Sequence, residues 1–118
     1  MRRIEPGAIW LADLDPRRGT EPGKVRPVLV VQGEALLEAG HTSTLVVPLT
    51  TQLVDDAEPL RVRVKAIGRL RKDSDLLIDQ LRAIDNRRLT GTPLGRLSST
   101  QLRKVRSAIA ELLEIEPT

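Results

Sequence analysis

The sequence predicts a mainly β fold with one helix: a small, strongly bent barrel of five or six strands followed by a C-terminal helix. Short apolar and β-branched runs broken by Gly, Pro and Asp recur from Ala8 to Leu97, as strands separated by turns do. One of them, Val28 to Gln32, is apolar without alternation, which suits a strand covered on both faces. Helical spacing of apolar residues over a long stretch occurs only at the end of the chain. At 118 residues with 40% hydrophobic content, the chain is expected to form a single domain spanning 1–118 around one core.

The elements follow in order. Ala8 to Leu14 is the first strand, with Ala8, Trp10, Ala12 and Leu14 on its inner side and Asp15-Pro16 ending it. Trp10 is the sole aromatic and falls on that inner side, so it reads as core. Val28 to Gln32 continues the second strand behind Arg26. Gly33 to Gly40 is rich in helix formers between glycines, giving one or two helical turns. Thr42 to Thr51 is the third strand, in which Pro48 implies an edge, a bulge or an exit just before Thr50. Leu60 to Lys65 alternates strictly, which places Leu60, Val62 and Val64 inward and makes a uniformly basic outer face of Arg61, Arg63 and Lys65. Leu76 to Asp85 reads as a fifth strand bent near Asp79-Gln80, and Gly91 to Leu97 as a short sixth. Ser98 with Gln101 forms a capping-box pattern that opens a helix with the apolar stripe Leu102, Val105, Ile109, Leu112 and Leu113, stopped at Pro117.

Composition excludes several function classes. There is no cysteine, so disulfides, thiolate catalysis and Cys-ligated metals are out, and His41 is the only histidine, in a polar turn. Histidine-pair ribonuclease chemistry therefore lacks its partner. Asp55-Asp56, Asp73-x-Asp75 and Asp79 are acidic, but turns and strand ends account for them and no motif links them, so no metal and no cofactor is expected. Neither a phosphate-binding Gly-x-x-x-x-Gly-Lys loop nor a Gly-x-Ser-x-Gly elbow occurs. No run approaches a membrane span, and Met1 to Gly7 lacks the apolar stretch of a secretory signal, so a cytoplasmic protein is expected. The net charge of +3 is too small for a general polyanion coat; any such site must come from local clusters such as Arg17-Arg18, Arg61/Arg63, Arg69/Arg71-Lys72 and Arg87-Arg88.

The segment Gly19 to Val31 is the most informative. A Gly-flanked loop delivers Arg26 to the mouth of a buried strand, where its planar fork of donors suits phosphate oxygens. Taken alone the segment also fits a hairpin with an exposed arginine. Thr20, Glu21, Lys24, Arg26, Thr50, Asp73-Ser74 and Gln80 fall at strand ends and loops. Such a set suits RNA, because attack of a ribose 2′-OH on its own 3′ phosphate needs only placement and stabilisation of the added charge.

Ile9 to Pro16, Gly19 to Val31, Val46 to Thr50, Asp73-Ser74 and Leu77 to Asp85 together resemble the MazF/PemK family of toxin endoribonucleases, in order and over nearly the whole chain. The resemblance implies an SH3-like barrel of the CcdB/MazF type and a homodimer. It further implies metal-independent, sequence-specific cleavage of single-stranded RNA, mRNA above all, to a 2′,3′-cyclic phosphate and a 5′-hydroxyl, and inhibition by a cognate acidic antitoxin. Carried over by position, the catalytic arginine falls on Arg26 and the catalytic threonine on Thr50; the RNA-binding set falls on Thr20, Glu21, Gly23, Lys24, Asp73, Ser74 and Gln80. Many relatives have Glu-Gln-Gly where this chain has Glu21-Pro22-Gly23, a change that stiffens the loop and removes an amide.

Two alternatives share the fold: a CcdB-like toxin that poisons gyrase and cleaves nothing, and a barrel that only binds RNA or protein. The Arg26/Thr50 pair separates them from a nuclease, since a gyrase poison has no reason to keep it.

Overall fold

The computed structural model describes residues 3–15, 18–21 and 24–116. Expectations placed on Pro16, Arg17, Pro22, Gly23 and Pro117 lie outside the described residues. Among those described there are seven strands, β1 (Ala8–Asp13), β2 (Val25–Val30), β3 (Ser43–Thr50), β4 (Arg61–Val64), β5 (Ser74–Leu77), β6 (Arg82–Asp85) and β7 (Leu89–Arg96), with helices α1 (Glu34–Glu38) and α2 (Ser99–Leu112). All pairings are antiparallel, and the order across the sheet is β4-β5-β3-β2-β1-β7, with β6 also paired to β3.

The strand count exceeds the expected five or six because the long fifth strand is two. β5 and β6 flank the same side of β3, at Leu49–Thr50 and at Ser43–Val46, and a 3-10 turn at Ile78–Gln80 joins them. Pro48 explains the break. It pairs with Val28 in the β2 ladder, yet on its other flank it falls between Val46↔Arg82 and Leu49↔Leu76, where β3 changes partner and no backbone donor is required of it. The proline is thus central in the sheet, not at an edge.

Both sheet faces bury apolar side chains, which is why β2 does not alternate. Val28 and Val30 join Ala8, Trp10, Ala12, Leu14 and Val46 in one cluster; Leu29 and Val31 join Ile9, Val47, Val62, Val64 and Leu76 in the other, which α2 covers with Leu102, Val105 and Ala108. Trp10 is core, as its position implied. The α2 capping box forms with Ser98 and Gln101, and Arg106 ties the helix to the end of β2 by donating to the Val31 carbonyl at 3.1 Å. Leu113, expected in the apolar stripe, is the exposed C-cap, and Leu60, expected inward, is 50% exposed because it precedes β4.

The turn between β4 and β5 packs against β7. The Arg69 amide donates to the Leu94 carbonyl at 2.7 Å, and a side chain at Gly68, which has φ +57°, would meet that carbonyl oxygen at 2.4 Å. Among the described residues no helix is long and apolar enough to cross a membrane.

Candidate active site

The loop between β1 and β2 is fastened at its base. Leu14 donates its amide to the Lys24 carbonyl at 2.9 Å, the Lys24 amide reaches Asp15 Oδ1, and Lys24 takes a left-handed backbone with φ 63° that turns the chain into β2. Arg88 closes the same end by donating from Nη1 to the carbonyls of Asp13 and Asp15 at 3.0 and 2.8 Å. The strand that carries Arg26 is therefore anchored on both sides of the loop.

Directly opposite residues of antiparallel strands share a face. Arg26 pairs with Ala12, and Thr50 pairs with Asp75, which pairs with Arg63. The β2–β3 ladder itself ends at Val28↔Pro48, so Arg26 and Thr50 lie just beyond it, where the two strands leave each other. Arg26 and Thr50 also line an open groove of about 280 Å³ with Lys24, Lys72, Ser74 and Thr51 and with the apolar residues Val25, Pro27, Leu49 and Leu70. Its described lining holds three cations and no carboxylate, a field suited to a phosphodiester. Thr50 is half-buried, and its Oγ1 accepts from the Gln52 amide at 3.2 Å, which leaves the hydroxyl hydrogen available to donate.

The structure gathers some of the expected site residues and disperses others. Lys24, Arg26, Thr50 and Ser74 line the groove, although Ser74 is buried and donates its hydroxyl to the Lys72 carbonyl at 3.0 Å. Thr20 and Glu21 lie in the β1–β2 loop outside this lining, Gln80 ends the 3-10 turn, and Gly23 is outside the described residues. Asp73 is exposed and clasps its own hairpin, where Oδ1 accepts the Ala66 amide at 2.9 Å. Lys72 is a groove cation that sequence reading saw only as part of a basic cluster; its place next to Ser74 at the start of β5 was the available signal.

The outer face of β4 is not the uncompensated basic strip the alternation suggested. Arg63 Nε and Arg61 Nη1 both donate to Asp75, and Arg63 Nη2 donates to Asp55 Oδ1 at 2.9 Å. The partner carboxylate was out of sight because it comes from β5. Burial pushes the Asp75 carboxyl up, but hydrogen bonds from Arg63, the Val54 amide and Arg61 outweigh it and hold it below its ordinary value. Asp75 is thereby committed to arginines. Among the described residues no three His, Asp or Glu side chains gather as a metal site would need.

Comparison with known proteins yields a consistent group. A family model described as the PemK-like, MazF-like toxin of type II toxin-antitoxin system matches residues 5–113. The chain is similar to the Endoribonuclease MazF of Staphylococcus saprophyticus, 35% identical over 111 residues that make up 92% of this chain and 88% of that protein. Among solved structures, the Mycobacterium tuberculosis toxin MazF-mt6 matches with a TM-score of 0.74 at 27% identity, over 93% of this chain and 99% of that one. A chain of the MazE-MazF crystal structure from Deinococcus radiodurans matches in fold, with a TM-score of 0.75 at 19% identity over 98% of this chain and 100% of that one.

Proposed function

The chain belongs to the PemK-like, MazF-like toxins of type II toxin-antitoxin systems and is an endoribonuclease, and from that premise we propose that it cuts single-stranded RNA, mRNA above all, at short sequences without a metal ion. The observation that supports this best is the groove itself: Arg26 and Thr50 line it together, flanked by Lys24 and Lys72, with no carboxylate in its described lining.

The chemistry follows from the groups present. The ribose 2′-oxygen attacks the adjacent phosphorus, the bond from phosphorus to the 5′-oxygen breaks, and the products are a 2′,3′-cyclic phosphate and a 5′-hydroxyl; one proton is lost at the 2′-OH and one is gained at the 5′-oxygen. A guanidinium stays protonated at neutral pH, so Arg26 acts as a clamp. Its fork holds the non-bridging oxygens as charge builds on the phosphorane, and it can protonate the departing 5′-oxygen as that oxygen becomes strongly basic. The Thr50 hydroxyl donates to a non-bridging oxygen. Lys24, Lys72 and the loop residues Thr20 and Glu21 hold flanking nucleotides, and with a single aromatic, buried in the core, base recognition rests on hydrogen bonds and arginine stacking. Ser74 shapes the groove wall by fixing the Lys72 backbone.

As one domain the toxin works in the cytoplasm as a homodimer and is silenced by an acidic antitoxin drawn to the same cationic groove, a reading supported by its type II toxin family. The likeness to an endoribonuclease favours this over a gyrase poison or a passive binder. Incubation of the purified chain with mixed-sequence RNA in EDTA, with both new ends mapped, tests it. Cuts at a short shared sequence are expected; intact RNA would refute it.

A further inference from the structure

The Thr50 hydroxyl is the near end of a hydrogen-bond chain that finishes on a buried carboxylate. The Gln52 amide donates to Thr50 Oγ1 at 3.2 Å, and the carbonyl of the same Gln52 accepts from Arg61 Nη1 at 2.8 Å. That Nη1 also donates to Asp75 Oδ2 at 3.2 Å, and the Val54 amide donates to the same oxygen at 2.9 Å. Asp75 is 1% exposed and pairs directly with Thr50 across the β3–β5 ladder. Segment 51–54, which leaves β3 at Thr50, is therefore pinned at residue 52 by Arg61 and at residue 54 by Asp75.

We propose that Asp75 and Arg61 are positioning residues: they hold segment 51–54 so that the Gln52 amide occupies one lone pair of the Thr50 hydroxyl and keeps its hydrogen aimed at the scissile phosphate. The proposal rests on the reading of Thr50 as a donor to that phosphate. A free hydroxyl rotates among several partners, and a fixed amide on its oxygen removes part of that freedom before substrate arrives. Preorganised donors are what stabilise developing charge. A buried carboxylate is also an expensive way to fill space, since well-packed apolar residues commonly hold such a position as well. Here both of its oxygens are spent, Oδ1 on Arg63 and Oδ2 on Arg61 and the Val54 amide, and two of these three contacts lead back to the segment after Thr50.

The test is a double-mutant cycle on single-turnover cleavage in EDTA. Asp75→Asn keeps the side-chain shape and removes the charge; Arg61→Gln removes the bridge between Asp75 and the Gln52 carbonyl while leaving Asp75 its Arg63 partner. Each is expected to lower kcat about tenfold with KM within about twofold of the unaltered chain, because aim is lost but RNA contact is not. On a Thr50→Val background, which has no hydroxyl to aim, the same changes should alter the residual rate by less than about twofold. Should Asp75→Asn fail to fold, as judged by circular dichroism, Arg61→Gln decides alone. Unchanged kcat in the folded variants, or an equal tenfold loss on the Thr50→Val background, would overturn the proposal. If the unaltered chain leaves RNA intact, the endoribonuclease reading falls and this falls with it; if it cuts and the variants match it, only the positioning role is lost.

Discussion

Replacing Arg26 by lysine keeps a positive charge in the groove and removes the fork. Arg26 is held from behind by Val28, Leu29 and Val30, all fully buried, and from the side by its pairing with Ala12, so the backbone has little freedom to bring a shorter ammonium group toward the phosphate. A guanidinium clamps two oxygens with parallel charge-assisted bonds, each worth about 1.5–3 kcal/mol, and an ammonium in the same place keeps one at most. Loss of one such bond in the transition state corresponds to about 10- to 10²-fold in rate, and the rigid strand puts the expectation at about 10². Single-turnover cleavage of a short RNA in EDTA reads the effect, with RNA affinity measured separately to show that binding is nearly kept and a thermal melt to show that the fold is. A rate within about threefold of the unaltered chain would mean that charge alone suffices and that the bidentate clamp is wrong.

Thr50→Val preserves strand preference and shape while deleting the donor; it should cost about 2 kcal/mol or more of transition-state stabilisation with RNA binding nearly intact, and a change in KM alone would contradict that. Asp75 carries the acid dependence of stability. Its folded pKa lies below its ordinary 3.8, so its contribution is present above that value and is lost as pH falls through the lower folded value. Thermal melts should be flat between about pH 5 and 8 and fall in acid, with a shallower acid fall in Asp75→Asn. Asp85, pulled down to about 2 by Arg87, is more exposed and should contribute much less. Light scattering at micromolar concentration should report about twice the 13.1 kDa chain mass, and a stable, active monomer would contradict the dimer.

What could be read from the sequence was what local pattern controls. The buried second strand, the capped terminal helix and the core position of Trp10 depend on residues near one another in the chain, and so they were legible. The bend at Asp79-Gln80 was visible as two polar residues interrupting an apolar run, but its division into β5 and β6 depends on Pro48, which lies in a different strand and leaves a gap on one flank only. The same limit hid the state of Arg61 and Arg63. Alternation places side chains on a face; it cannot show that the neighbouring strand brings a carboxylate to meet them. The resemblance pointed to Arg26 and Thr50 on two separate strands that the fold brings to one groove, whereas Asp73 and Asp75, alike in sequence, separate into a hairpin clasp and a buried anchor.

In the proposed mechanism the RNA supplies its own nucleophile and the protein supplies placement and charge. A single 2′-deoxy substitution at the mapped cut site, assayed in EDTA beside the all-ribose strand, tests it most directly. Cleavage of the deoxy strand should vanish while it still competes for binding, and the all-ribose strand should end in a 2′,3′-cyclic phosphate by mass spectrometry. Cleavage of the deoxy strand at a comparable rate would show that water or another group attacks the phosphorus, and would contradict the mechanism assigned to Arg26 and Thr50.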